Sequence, residues 1–477
     1  MALFTHVVHA LFVLTLAYYV MSAMQWYNYR LERVVLHYHR YDWHLWYGGV
    51  PLLGFYLIPN PWNVGWYLFY GAALFFWART LDKKLIFTPR VKRFFLFLIL
   101  TLLFQTLLCT IIAPCEKNGV IIPLFIAHLF SLAYEKIAFE GFKKEARQKL
   151  LRLSHTKTIA ITASYGKTSI KNFLTQILST SYKIYATPRS VNTLGGIVKD
   201  INEALPLDVD FYIVEAGARQ KGDIDEIARF VNPHICVIGC IGEQHIEYFK
   251  TLENIRNTKM ELLHSAALER AFVHESACVK PYEHVSVFGS DIESIETTLH
   301  ETAFTLRING EKERFTCKLL GEFNAINLAA CVHVALYLGM TLSAIKNAIL
   351  NLKGVEHRLQ KIEAGGKIII DDSFNGNLEG MLSSYALVKT YKGRKVIITP
   401  GIIESTPEAN THLGEAIDAI FDVVILTGKT NIERLDSVIK RPQKFILSDK
   451  AHLQALLAEH TYKGDVILFS NDAPSFI

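Results

Sequence analysis

The chain has 477 residues, 51% hydrophobic and 12% aromatic, with a formal charge of +5 and a positive mean hydropathy. That length allows about three ordinary domains, and the apolar excess argues against a wholly soluble enzyme and for membrane segments. The small net charge gives no case for nucleic acid as a partner, and seven cysteines without a paired pattern fit a reducing compartment.

Most of the apolar excess lies before residue 140. Segments at 6–24, 44–59, 62–78, 94–113 and 119–134 predict about five membrane spans. No basic stretch precedes the first, which argues against a cleaved signal peptide. Arg30, Arg33 and Arg40 gather in the first connection, and Arg79, Lys83, Lys84, Arg90, Lys92 and Arg93 in the third. Lys136, Lys143, Lys144, Arg147 and Lys149 follow the fifth segment, whereas the second and fourth connections are nearly neutral. This alternation predicts an external N-terminus and a cytoplasmic second half in a multi-pass arrangement. His37, Tyr38, His39, Tyr41, Trp43, His44, Trp46 and Tyr47 crowd beside one span. A metal or headgroup site is one account of them; an interfacial aromatic belt is the plainer one. The organisation expected is a transmembrane region at 1–140, a charged helical connector at 141–155, a central domain at 156–355 and a last domain at 356–477.

The central domain opens on Thr158-Ile-Ala-Ile-Thr162, a strand pattern that runs into Ala163-Ser164-Tyr165-Gly166-Lys167-Thr168-Ser169 and then a helical pattern. Strand, turn and helix in that order suit a phosphate loop, with backbone amides and the helix dipole facing an anion. Lys167 would meet the β- and γ-phosphates, and the Thr168 hydroxyl would bind Mg²⁺. A chance Gly-Lys-Thr on a surface turn is the competing account, which the flanks disfavour. The loop is short, and Ala163 stands where a first glycine is expected. Strands at 156–163, 183–187, 210–217, 235–241, 270–275 and 284–289 alternate with helices at 167–181, 195–204, 222–231, 251–266, 323–339 and 341–351. That alternation predicts an α/β fold with a parallel sheet, its ligands beyond the carboxyl ends of the strands. Glu215 ends one strand, where it could hold Mg²⁺ or cap a turn. His245 follows another and could bind a metal; Lys259 lies in a helix and could simply snorkel. Cys236 and Cys240, with His234 and His245 nearby, lack the partners of a zinc site and read as core cysteines.

Taken in order, Ala163–Ser169, Thr187-Pro-Arg-Ser-Val-Asn-Thr-Leu-Gly195, Glu215-Ala-Gly-Ala, His245-Ile-Glu-Tyr-Phe, Asn257-Thr-Lys-Met-Glu261 and Gly321-Glu-Phe-Asn-Ala-Ile-Asn327 resemble the Mur ligases. Asp371-Asp-Ser-Phe-Asn-Gly-Asn377 is most similar to the corresponding run of the MurF branch. The resemblance spans about 156–470 and implies a central ATPase domain followed by a Rossmann-like domain. It also implies an ADP-forming ligase that joins D-alanyl-D-alanine to UDP-MurNAc-tripeptide through an acyl phosphate; together with the apolar spans and basic connections, the expectation is a ligase of the bacterial inner membrane. By this resemblance, Ala163 to Ser169 bind ATP, with Lys167 on its phosphates. Thr168 and Glu215 hold one Mg²⁺, and His245 and a carbamylated Lys259 a second. Asn324 faces adenine with support from Asn327, Arg358 meets ATP or its transferred phosphate, and Asp372 lies near ribose. Asn192, Thr193, Asn375 and Asn377 contact substrate, although Asn375 and Asn377 could equally cap a helix.

Several positions depart from the family pattern. Phe323 stands where a histidine often precedes the asparagine, Thr399-Pro-Gly401 replaces part of a Gly-Asp-Met-x-Glu run that keeps Glu404, and the final Asn471–Ile477 replaces a Lys-Gly-Ser-Arg run. The soluble domain that usually holds the UDP end has no counterpart before 156. Two other readings follow: a membrane-associated ligase of the same fold extending a γ-linked polyglutamate, and a non-catalytic membrane scaffold with a degenerate loop. Intact Lys167, Thr168, Glu215, His245 and Lys259 disfavour the scaffold. No protein partner is legible.

Overall fold

The computed structural model describes residues 2–27, 29, 31–36, 41–59, 62–81, 84–111, 119–244, 246–374, 376–402, 406–428, 431–447 and 449–472. The chain divides into two compact units, Met1–Gly141 and Phe142–Ile477.

The first unit is helical. Three helices, Phe4–Trp26, Pro89–Ile111 and Ile121–Arg152, are long and apolar enough to cross a membrane. The other two expected spans fall short of that standard: one is a short π-helical stretch, Leu45–Gly49, running into Val50–Leu57, and the other is the helix Asn63–Thr80. Phe12, Tyr19, Tyr67, Tyr70, Trp77, Phe94 and Leu98 form the packed interior of this unit, while Phe69, Phe76, Leu103, Phe104 and Ile122 face outward. The aromatic stretch is partly drawn inward. His44 bonds the Tyr19 hydroxyl at 2.6 Å and the Val34 carbonyl at 2.8 Å, and Trp43 packs edge-on to Trp77. His37, Tyr38 and His39 lie outside the described residues. Cys109 is disulfide-bonded, contrary to the expectation of unpaired cysteines, whereas the five cysteines described in the second unit are free.

The second unit begins in the charged half of Ile121–Arg152 and holds three sheets. In the first, β1 (Lys157–Thr162), β2 (Ile184–Ala186), β3 (Phe211–Glu215), β4 (Ile235–Ile238), β5 (Arg270–His274) and β6 (Val285–Phe288) are all parallel, in the order β2-β3-β1-β4-β5-β6. Their runs of β-branched residues are buried on both faces, as a helix-covered parallel sheet requires. The helices Lys167–Leu178 and Glu322–Tyr337 pack on one face through Ile170, Phe173, Leu174, Leu328 and Val332. An antiparallel sheet of β7 (Ile292–Thr297), β8 (Thr302–Ile308) and β9 (Glu311–Cys317) follows, absent from the sequence reading because its edge positions are charged and blur the alternation. His333 fastens it to the main core through Asp291 at 2.6 Å. Burial alone would raise the Asp291 carboxyl, but the bond and charge of His333, with the Gly289 amide, hold it below its ordinary value.

The third sheet comprises β10 (Gln360–Ala364), β11 (Lys367–Asp372), β12 (Lys395–Thr399), β13 (Val423–Thr427), β14 (Gln443–Leu447) and β15 (Val466–Ser470). Its order is β10-β11-β15-β12-β13-β14, parallel except for the β10–β11 hairpin. Strands β11 to β15 fall where apolar runs predict them, at about 367–372, 395–399, 423–427, 443–447 and 465–469. β10 is a half-exposed edge strand that periodicity does not reveal.

Candidate active site

β1 is buried through Thr162, so the chain turns beyond the sheet over Ala163-Ser164-Tyr165-Gly166 before the helix Lys167–Leu178 begins. Gly166 has φ +83°, and a Cβ there would lie 2.3 Å from the Asn327 Oδ1. Backbone handedness and the approach of Asn327 both demand glycine at this position. Ala163 is accommodated by its neighbour instead: a Cβ on Gly239, just past β4, would sit 3.0 Å from the Ala163 Cβ. Gly242 likewise leaves room for the Tyr165 ring, at 2.5 Å from a would-be Cβ.

The first amides of the loop are already committed. Ser164 and Tyr165 N–H donate to the Cys240 carbonyl at 2.9 and 3.4 Å, and the Ser164 hydroxyl donates to the Gly242 carbonyl at 3.0 Å. The donors left for an anion are those at the start of the helix, whose first turn has no intrahelical acceptors. The Lys167 amine folds over the loop, donating to Ala163 O at 2.7 Å, Ser164 O at 3.2 Å and Gln244 Oε1 at 3.4 Å. Burial pushes its pKa down to about 8, opposed by Glu215 and reinforced by Arg358, so the ammonium prevails at neutral pH.

Glu215 ends β3 in a fully buried position. Its Oε2 accepts from the Thr168 hydroxyl at 3.0 Å and its Oε1 from Asn192 Nδ2 at 3.2 Å. Lys171, one turn beyond Lys167, stands 3.5 Å from Oε2 and is itself 2% exposed. The Lys171 amine also donates to the carbonyls of Thr187, at 2.7 Å, and Arg189. Behind this pair, Asp200 accepts from the hydroxyls of Tyr185 at 2.7 Å and Tyr212 at 3.4 Å. Lys171 escaped the sequence reading; the available signal was a lysine on the apolar side of an amphipathic helix, beside Ile170 and Leu174.

Of the remaining residues, Asn192 is drawn to Glu215, and Thr193 caps the helix Leu194–Glu203 through Gly196 N–H. Lys259 is buried at the end of the helix Leu252–Met260, its amine without a hydrogen-bond or ion-pair partner among the described residues. Burial holds its pKa well below the ordinary value, the Lys167 charge adds to this, and Asp223 and Glu261 oppose it. Glu261 is not available as a counter-ion in contact, because its carboxylate accepts from Gly222 N–H at 2.9 Å and Asp225 N–H at 3.2 Å, capping the helix Asp223–Val231. His245 and Asn375 lie outside the described residues. Asn324 donates to Leu320 O at 2.8 Å in the first turn of the helix Glu322–Tyr337. Cys236 donates to Leu262 O within the core.

The third sheet supplies its own groups to this edge. Arg358 is half-buried, lowered in pKa by burial and raised by the neighbouring Asp372 and Glu215. Asp372 is buried at the end of β11 and accepts from Leu359 N–H at 3.2 Å. Glu379 lies close enough to Tyr165 to help burial raise that phenol. Asn377 caps the helix Leu378–Lys389 through Gly380 N–H at 2.8 Å, which is the capping alternative. Lys167, Thr168, Glu215, Asn192, Arg358 and Asp372 are thus gathered beyond the carboxyl ends of β1, β3 and β11, with Lys259 within electrostatic reach of Lys167.

Residues 161–335, which hold this loop and its surrounding strand ends, match the Mur ligase middle domain. The chain contains a Mur ligase middle domain. Beyond it, the UDP-N-acetylmuramoyl-tripeptide--D-alanyl-D-alanine ligase of Bacillus subtilis is 25% identical over 334 residues, covering 66% of this chain and 72% of that one. The Escherichia coli protein of the same name is 26% identical over 315 residues, covering 62% and 68%. Among solved structures, a MurF ligase from Thermotoga maritima in complex with ADP aligns at a TM-score of 0.62 with 25% identity, over 70% of this chain and 80% of that one. A MurF from Acinetobacter baumannii aligns at 0.62 with 23% identity, covering 70% and 78%, a likeness of fold. The Mur ligase middle domain and the sheet that follows it therefore share the fold of MurF structures.

Proposed function

We propose that this chain is an ATP-dependent amide ligase of the MurF type, joining D-alanyl-D-alanine to UDP-MurNAc-tripeptide. The observation that carries the proposal is the convergence of Lys167, Thr168 and Glu215 at the phosphate loop, with Arg358 brought in from the next sheet. The names of the similar ligases support the choice of substrates.

The donor set fits Mg²⁺ at one position: a hydroxyl and a carboxylate, 3.0 Å apart, are hard oxygen ligands. Mg²⁺ bound there would neutralise charge on the ATP phosphates. Lys167 then orients the γ-phosphate, and Arg358 adds a second cation as an oxygen of the peptide carboxylate attacks phosphorus and the bond to ADP breaks. The amine of the dipeptide adds to the resulting acyl carbon; the C–O bond to phosphate breaks and the nitrogen gives up a proton. Closure of the third sheet over the loop would keep water from the acyl phosphate.

A second cation site fits only if Lys259 is carbamylated, since an amine is a poor ligand for Mg²⁺. The lone, pKa-lowered Lys259 amine is suited to add to CO₂. Native mass measurement in bicarbonate should then show the mass of one CO₂ on the parent protein and not on Lys259→Ala. That variant should also lose about 10–100-fold in turnover. An unimpaired Lys259→Ala enzyme would reject the role.

The three long apolar helices and the basic connections support a multi-pass inner-membrane protein with this site on the cytoplasmic side. The test of function is phosphate release by the detergent-solubilised full chain with ATP, UDP-MurNAc-tripeptide and D-alanyl-D-alanine. Release that needs all three substrates is expected. Release driven by glutamate and not by the dipeptide would replace this reading with polyglutamate extension.

A further inference from the structure

The loop between β2 and the helix Leu194–Glu203 holds a feature that phosphate chemistry does not use. Pro188 to Val191 form a turn closed by Val191 N–H on the Pro188 carbonyl at 3.1 Å, and Arg189, its first central residue, has φ +47°. Glycine dominates such a position, because an L side chain there crowds its own backbone. The strain is enforced from behind: Lys171 donates to the carbonyls of Thr187 and Arg189 while it pairs with Glu215. The loop is fastened to the same residue at both ends, the Glu215 backbone N–H donating to Thr187 Oγ1 at 3.3 Å and Asn192 donating to the Glu215 carboxylate Oε1 at 3.2 Å. Arg189 itself is exposed, and its guanidinium makes no ion pair or hydrogen bond among the described residues. A strained residue with no internal role for its side chain points to a function outside the fold.

We propose that Arg189 is a specificity residue that binds an anionic group of the peptide-bearing nucleotide substrate. The inference rests on the proposed reaction and adds to it a recognition contact from the middle domain. A guanidinium fork matches the paired oxygens of a carboxylate or a phosphate. The substrate offers both, as peptide carboxylates other than the one activated and as its diphosphate.

The experiment compares parent, Arg189→Gly and Arg189→Lys in detergent, by phosphate-release kinetics and thermal unfolding. Glycine relieves the positive φ, so its Tm should be no lower than the parent's. The KM for UDP-MurNAc-tripeptide should rise about 10–100-fold, the effect of losing charge-assisted hydrogen bonds, with kcat and the KM values for ATP and dipeptide unchanged. Lysine should fall between, keeping the charge without the fork. Two further acceptors locate the anion: MurNAc-tripeptide without UDP, and the nucleotide with its second-residue carboxylate amidated. The acceptor on which parent and glycine variant converge lacks the group Arg189 binds. An unchanged acceptor KM in Arg189→Gly overturns the assignment, as does a rise confined to the dipeptide or a general loss with lowered Tm. No phosphate release from the parent itself would instead remove the proposed reaction, and the inference with it.

Discussion

Lys167→Ala is expected to lower kcat for phosphate release by about a thousandfold or more, with little change in stability. The amine sits over the loop, held at 2.7 and 3.2 Å by two carbonyls that cannot reach a phosphate themselves. Removing one preorganised group aimed at transition-state charge typically costs about 10²–10³-fold, and Lys167 delivers a full cation. Its contacts are with loop carbonyls and an amide oxygen and include no ion pair, and alanine is a good helix former, so unfolding should hardly move. Lys167→Arg should not rescue turnover, because the pocket between Ala163 and Ser164 carbonyls suits a compact ammonium rather than a planar fork. Turnover near the parent rate in Lys167→Ala would take the phosphate loop out of the mechanism.

Lys171→Met should have the opposite profile, with stability as its main casualty. The pair of Lys171 and Glu215 is closed off from water on both sides, at 2% and 1% side-chain exposure. Deleting one partner leaves an uncompensated buried carboxylate and strands the carbonyls of Thr187 and Arg189, a loss of about 3–5 kcal/mol for a buried pair. Burial pulls the Lys171 pKa below its ordinary value, opposed by the charge and hydrogen bond of Glu215 and by Asp200. The measurement is a denaturant titration of Lys171→Met, Glu215→Gln and the double variant. The double variant should be more stable than the sum of the two single losses implies, because the unpaired charge is gone. If Lys171→Met unfolds at the parent's midpoint, the pair does not stabilise the site.

Much of the site was legible because its chemistry follows strand ends. In a parallel α/β sheet, the residues just past the carboxyl ends of strands form one edge, so Lys167, Thr168 and Glu215 could be placed together from the alternation of elements and the Gly-Lys-Thr turn. Asn192 was expected at substrate and is found on Glu215; Asn377 could have been either and caps its helix. Such short polar side chains satisfy whichever donor or acceptor lies nearest, and that depends on distances the chain order does not contain. β7 to β9 and the edge strand β10 were missed for a related reason, since solvent on one side lets charged residues interrupt the apolar period.

By itself the sequence determined the apolar N-terminal region, the parallel strands and their alternating helices, and the identity of the loop residues, because periodicity and local backbone preference are properties of neighbouring residues. Tertiary structure decided what compensates what. Ala163 looked like a defect in the loop, and it is matched by space at Gly239, 76 positions later in the chain. Gly166 was read as part of the phosphate loop, and its lack of a side chain is also what admits Asn327 from the helix Glu322–Tyr337. Lys171 drew no notice in the sequence, and it is the buried cation that joins Glu215 to the Arg189 turn. Each of these is a contact between residues far apart in the chain, set by close packing across strands, and close packing is decided only once the sheet has formed.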